Sequence, residues 1–523
     1  MHHGRSHRSS STGLVVPTLA LVLCLTACNG RTPSAHLEDR VALPAPKTST
    51  AAMTTTPEEP DAAGQPVVLS ARSLIGLAFN RQPDIKSSFQ AFKAEEARYD
   101  FFYTSNDQLT PRISTTNTYG ESRTMDADIG DRIGEREREH VIEFGVDKQF
   151  FDTTELSIAG GLENSLDDGD FGNQPYAAAS VRYPLWESRE KLERTSDDIF
   201  RKNELNDAQL DYIKSVRSRL QSALVKFYWV VDLRSRVAAS ARWRDDLQEL
   251  LATLDAIPGR ETAADRRRVE ADLTHATSEA RNLAGQYEIE LARLKNSCGL
   301  PYEVPVELDD AYFNPFEGLT HEQLRLVSIE TDPEIATLRN SMRNAEVQLD
   351  LARRGKWDVA LLLSGKSDLR GRGTRASNTD WSVSAGVEVS AVDARVTSSL
   401  QRQARASILR FKQAITARES LIYADTLEPL VRIDTLGVSR DQLRGSLQLY
   451  EEDYQEGLRE YAGGELNIDD LLTRRQTIFN QEVQISSLTS QVGCNIAYLC
   501  SATGTFFELL NNHQYPPASA SGG

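Results

Sequence analysis

From Glu187 to Ile257 the chain passes through seventy-one consecutive residues without a glycine or a proline. Helix interiors exclude both, because glycine costs about 1 kcal/mol there and proline about 3. Within the run, Ile213, Val216, Leu220, Leu224, Phe227 and Val231 recur at steps of three and four, an apolar stripe of helical period. One unbroken helix of this length measures roughly 100 Å, about three times the hydrocarbon core of a bilayer. A compact domain has no room for such a rod, so the chain must bridge a long distance. Its composition agrees: 40% of residues are hydrophobic but only 7% aromatic, which suits elongated helical packing better than a bulky core. A net charge of −17 argues against a nucleic-acid partner, which would want a basic face.

The chain is duplicated. Leu69, Leu74, Pro83, Asp84, Ile85 and Glu96 have counterparts 250 residues on in Leu319, Leu324, Pro333, Glu334, Ile335 and Glu346. Near the end of each half, Gly259, Asp265 and Gly299 reappear as Gly464, Asp470 and Gly504 at a constant offset of 205. The first unit spans 68–300 and the second 319–504, joined by a connector at 301–318. Each should open with a helix of 35 to 40 residues (69–108 and 319–354). Strands follow within 111–184 and 357–390, then long helices over 187–257 and 394–460, and finally returning helices over 260–298 and 465–503.

In the second returning helix, Leu471, Ile478, Ile485, Val492 and Leu499 fall every seven residues, with Leu273, Ala280, Tyr287 and Leu294 at equivalent places in the first. A heptad seam predicts antiparallel coiled-coil packing, and equally serves stability alone. Pro429 should kink or break the second long helix. The strand segments are Pro111–Tyr119, Val141–Phe144, Glu155–Ala159, Tyr176–Tyr183, Val359–Leu363 and Ser382–Val389, which alternate apolar and small or polar residues beside turn-rich stretches. The first unit has the more strand-like material, which predicts an additional hairpin around 140–163; whether it joins a barrel is open.

The first 27 residues read as an export signal, with Arg5 and Arg8 ahead of an apolar stretch from Gly13 to Ala27. Leu25-Thr26-Ala27-Cys28 resembles the lipobox of bacterial lipoproteins, which implies cleavage before Cys28 and a covalent lipid on its thiol; no cofactor is expected beside that lipid. Asn29 in the next position favours outer-membrane sorting in that pattern. The alternative is an ordinary secretory signal with a chance cysteine. Residues 28–67, rich in proline, threonine and alanine, read as a flexible tether, and 505–523 as a C-terminal tail. Past the signal no segment approaches the ~18 apolar residues of a membrane helix, so any crossing would use strands. Cys298, Cys494 and Cys500 lack zinc-site spacing; one disulfide or free buried thiols both fit.

Several stretches match a known family in order. Asn80-Arg-Gln-Pro-Asp-Ile and Glu330-Thr-Asp-Pro-Glu-Ile resemble an element in the first helix of each repeat of the TolC-type outer-membrane efflux factors. Arg182-Tyr-Pro-Leu-Trp resembles their step from strand into long helix, and Tyr461-Ala-Gly-Gly-Glu-Leu-Asn-Ile-Asp-Asp-Leu-Leu their second-repeat turn. The resemblance covers 68–505. It implies a mainly α fold with a membrane β part: a homotrimer whose long antiparallel coiled-coil helices form an α-barrel, joined to a shared 12-stranded outer-membrane β-barrel, four strands from each chain. Closure removes sheet edges that lipid would not tolerate.

The same resemblance places Tyr461, Gly464, Asp470 and the repeat counterpart Asp265 at a periplasmic pore gate. Three copies of Asp470 would form a carboxylate ring favouring cations; otherwise Asp470 is only a carboxylate at a helix N-terminus. Leu466 and Thr473 stand where the family carries an arginine and a second acid, and Arg474 or Glu465 are candidates to substitute. Implied partners are a periplasmic adaptor protein, an inner-membrane transporter and outer-membrane lipid, in a Gram-negative bacterium.

No catalytic pattern is visible. His275, His321 and His513 are scattered, and none of these three has a histidine or cysteine partner at i,i+4; there is no P-loop, nucleophile elbow or dinucleotide fingerprint. Arg266-Arg-Arg268 reads as a solvated helix face or an adaptor contact. Two functions remain: a passive exit duct of a tripartite efflux or secretion system, or a non-conducting lipoprotein stalk. Matched amphipathic hairpins favour the duct, since a stalk has no use for them.

Overall fold

The computed structural model describes residues 66–514 apart from 107–108, 126–131, 151–153, 168–169, 186–188, 257–262, 312, 373–374 and 392. Cys28, the tether as far as residue 65 and Gly259 lie outside the described residues, and Val67, read as the tether's last residue, already belongs to a strand. The first repeat comprises β1 (Val67–Leu69), α1 (Ala71–Arg81), α2 (Pro83–Asn106), β2 (Leu109–Met125), β3 (Arg132–Gln149), β4 (Glu155–Asp167), β5 (Asp170–Pro184), α3 (Arg189–Ala256) and α4 (Ala263–Ser297). The second comprises β6 (Val306–Leu308), α5 (His321–Thr331), α6 (Pro333–Arg354), β7 (Trp357–Arg372), β8 (Arg375–Ala391), α7 (Ala394–Gly463) and α8 (Ile468–Thr503), followed by α9 (Thr505–Gln514).

The 250-residue offset is visible in the local geometry. Ser70 caps α1 in a capping box with Ser73, and Thr320 caps α5 in the same way with Gln323. The opening helix of each repeat is two helices, not the single one expected. Pro83 and Pro333 push Gln82 and Asp332 to extended backbone, with ψ of 123° and 116°. A residue before proline is sterically barred from the α region, and that splits the helix. Each repeat closes on a left-handed glycine, Gly299 at φ 65° and Gly504 at φ 74°.

The glycine-free run forms α3, and Val216, Leu220, Leu224 and Phe227 of its stripe are at most 1% exposed. Around it pack α2, α4, α6 and α8. Helix α7 continues through Pro429 as one element, so of the kink or break expected there the break does not occur. The buried Thr426 hydroxyl donates to Ile422 O at 2.8 Å, and His321 Nε2 lies 3.2 Å from it. Those contacts hold the turn before the proline against α5, where tertiary packing outweighs the ~3 kcal/mol propensity cost.

The coiled-coil seam follows the sequence in one repeat only. Leu471, Ile478, Val492 and Leu499 are buried, and Ile485 is half-buried. In α4 the buried positions are Val269, Ala276, Leu283, Leu291 and Leu294, while Leu273, Ala280 and Tyr287 are half-buried. Helix α8 lies against both α7 and α3, whereas α4 has mainly α3 to cover it. Part of the stretch read as a tail is helical. Phe506, Leu509 and Leu510, at steps of three and one, bury one face of α9 near α1. Cys298 and Cys500 are buried free thiols and Cys494 a half-buried one; burial pushes Cys298 up to about 11.

The strands form one antiparallel sheet in the order β2-β3-β4-β5-β7-β8. A protomer therefore carries six strands and not four, because the hairpin around 140–163 is paired on both sides, to β2 and to β5. The register places Pro111, Val146, Ile158, Ala179, Gly365 and Val383 in one row across the sheet. The adjacent row reads Thr110, Asp147, Ser157, Ser180, Ser364 and Ser384. Side chains alternate between faces, so one face is apolar and the other polar on all six strands. A separate parallel pair, β1 with β6, ties the start of the first repeat to the connector.

Candidate functional site

At the far end of the long helices, α3, α4, α7 and α8 share one apolar cluster that includes Trp243, Leu247, Val269, Tyr454, Tyr461 and Leu471. The Trp243 ring stacks on Phe479 with centroids 4.7 Å apart. Burial pushes the Tyr454 hydroxyl up to about 12. This core holds the turn between α7 and α8. Helix α7 ends on Gly464, at φ 97°, whose amide donates to Tyr461 O at 3.1 Å. Only glycine adopts that backbone readily, and it reverses the chain in four residues. Asn467 then caps α8 by accepting from the Asp470 amide at 2.9 Å.

Two of the four residues assigned to a gate meet here. Tyr461 is 4% exposed and its hydroxyl donates to Asp265 Oδ2 at 3.5 Å, across 196 residues of chain. Gly464 makes the turn, and Asp470 is exposed in the first turn of α8. Arg474, a candidate substitute, pairs with Asp453 at 3.0 Å and Glu460 at 3.4 Å within its own hairpin. The other candidate, Glu465, donates its amide to Glu460 O.

Sequence reasoning missed the second link between the hairpins. Arg268 pairs with Asp469 at 2.5 Å, which joins the start of α4 to the start of α8. Above it, buried Arg475 pairs with Asp246, Glu482 with Arg242 at 2.7 Å, and Ser486 donates to the buried Asp232 at 2.6 Å. These contacts form a polar ladder between α3 and α8, and separations of more than 200 residues leave no local signal for it.

The opposite end is the two-faced sheet. On its apolar face Ile113, Phe144, Val383 and Val387 are more than half exposed. Its polar face holds ion pairs between strands: Arg112 with Asp147 at 3.7 Å, Arg182 with Glu388 at 3.3 Å, and Lys366 with Glu163 at 3.4 Å. An apolar outer face over a charged, hydrogen-bonded inner face is what a membrane barrel with a watery interior requires. No helix among the described residues is long and apolar enough to cross a membrane.

Similar architectures exist among solved structures. The outer membrane channel CmeC of Campylobacter jejuni matches with a TM-score of 0.54 at 14% identity, covering 83% of this chain and 85% of that one. VceC of Vibrio cholerae, an outer membrane protein, gives 0.58 at 11%, covering 83% and 96%. The open state of the MtrE outer membrane channel of Neisseria gonorrhoeae gives 0.57 at 13%, covering 83% and 88%. The fold is that of the TolC-type channels. No family model matches the sequence, and no curated protein matches it either. The TolC-type fold accounts for the sheet at one end, the long helices and the duplicated order of elements, as far as each is described.

Proposed function

We propose that this chain is the outer-membrane exit duct of a tripartite efflux or secretion system. Three copies would close the sheets into a barrel and the helices into a tunnel, passing substrate through passively. The observation that carries this reading is the two-faced sheet placed directly on two hairpins of very long helices. A non-conducting stalk leaves the charged inner face without a purpose. A lipid on Cys28 would hold the assembly in the outer membrane, with an adaptor and an inner-membrane transporter at the helical end.

In this reading the tip is the gate. The Tyr461–Asp265 and Arg268–Asp469 contacts tie the α7/α8 hairpin to the α3/α4 hairpin, so widening the tip means parting them. Three Asp470 carboxylates around the axis would attract cations. Purified protein in planar lipid bilayers should give discrete conductance steps while sedimenting as a trimer. A monomer that leaves the bilayer non-conducting would sink the proposal.

A further inference from the structure

We infer that the β3–β4 hairpin belongs to the membrane wall, so that three copies close an eighteen-stranded barrel and not a twelve-stranded one. The inference rests on the trimeric duct reading above. It starts from the register. β3 is paired along its length to β2, β4 is paired along its length to β5, and the two pair with each other. Removing the hairpin from the wall would break ladders on both sides.

The faces agree with the register. Phe144, Val146, Ile158 and Leu162 are 40–58% exposed and continue the apolar face of β5, β7 and β8 without a change of phase. Glu143, Asp147 and Glu163 continue the polar face, where Tyr176 donates to Glu143 at 2.6 Å and Lys366 pairs with Glu163. A lid over the mouth or a plug in the lumen would have no reason to keep an apolar face aligned with the wall. A one-residue slip would invert it, so the alignment is a specified feature.

The edges also fit. Six is an even number, so an up-and-down sheet has its first and last strands running in opposite directions. β2 of one copy can then lie antiparallel beside β8 of the next, and both edge strands are seventeen residues long. Only five residues separate β3 from β4 in sequence; the Phe150 amide donates to Thr154 O at 2.8 Å, and the strand ends they adjoin lie at the helical end of the sheet. Short turns at that end are the rule for outer-membrane barrels. At equal strand tilt, diameter scales with strand number, so the barrel would be about 1.5 times as wide as a twelve-stranded one.

Single cysteines test this in the full-length trimer reconstituted in lipid vesicles, using a membrane-impermeant maleimide and the unmodified protein as blank. Ile158→Cys and Phe144→Cys, one on each strand of the hairpin, should label no more than the blank. Ser157→Cys on the polar face should label, and Val387→Cys on β8 serves as the shielded reference. Labelling of both hairpin apolar positions while Val387→Cys stays shielded would put the hairpin in water and overturn the inference. Protection of Ser157→Cys together with Ile158→Cys would place it inside packed protein and overturn it equally. If Val387→Cys labels as well, the membrane reading of the whole sheet fails, and this inference falls with it.

Discussion

The two helical hairpins are almost equal in length, with 68 and 35 residues in α3 and α4 against 70 and 36 in α7 and α8. They use their apolar residues in opposite ways. In α3 the apolar stripe is sealed, down to Leu220, Leu224 and Leu247 at 0% exposure. In α7, Leu400, Leu409, Leu421, Val431, Val438 and Leu449 are all about half exposed or more. Helix α3 is surrounded by other helices of its own chain, whereas α7 is covered by α8 and α6 and touches α5. A duplicated unit thus yields one internal rod and one rim rod; in the proposed trimer, the exposed face of the rim rod is the surface a neighbouring copy would cover.

That contrast can be broken most forcefully in α3. Phe227→Ala should destabilise the helical body by about 3–5 kcal/mol, measured as a lowered unfolding midpoint by helical circular dichroism in detergent. A loss below that of an ordinary surface change would mean that α3 is not the core rod. Gly493→Ala probes a close approach of α8 to α3, where the glycine faces the Tyr228 ring. Its new methyl group would sit 2.3 Å from the Tyr228 ring, and the expected cost is about 1–3 kcal/mol. Tyr461→Phe removes one long hydrogen bond to Asp265 and should cost no more than about 1 kcal/mol. In bilayers it should raise the open probability of the channel; an unchanged record would remove Tyr461 from the gate.

Electrostatics sharpens the same comparison through the ladder. Burial holds Glu482 above the ordinary carboxylate range, opposed by Arg242 and Arg475. A carboxyl raised in the folded state adds stability that is complete below its unfolded value of about 4.5 and is lost as pH climbs through the folded one. Relative to Glu482→Gln, the natural protein should therefore lose stability with rising pH across that window, and the opposite slope would contradict the buried site. The smallest effect on the protomer belongs to the rim. Val431→Asp with Val438→Asp should leave the fold within about 0.5 kcal/mol per site, as at any exposed position. Sedimentation should nevertheless show the trimer dissociating, and an intact trimer would move the assembly surface away from α7.

Much of this architecture was legible in local residue patterns. The glycine-free run and the turn at Gly464 act through propensity and backbone sterics, which neighbours in sequence are enough to settle; the same sterics at Pro83 and Pro333 split each opening helix, where helical periodicity reads straight through. The resemblance of a few short stretches then pointed to the tip. There it brought Tyr461 to Asp265 but could not supply Arg268 with Asp469, because nothing local couples them. The place of the extra hairpin in the sheet escaped for another reason. Alternation over Val141–Phe144 and Glu155–Ala159 marks strands without saying which strands lie beside them.

What the sequence by itself determined is therefore the length of the rods, the duplication, the glycine turn between the second pair of rods, and the two-faced character of each strand. All of these depend on backbone preferences and side-chain period. Tertiary structure alone decided that α7 runs through Pro429, that the heptad seam shifts between α8 and α4, and that six strands share one sheet. Each of those outcomes depends on what packs alongside, and long-range packing outweighs the ~3 kcal/mol or less that local preferences can set against it.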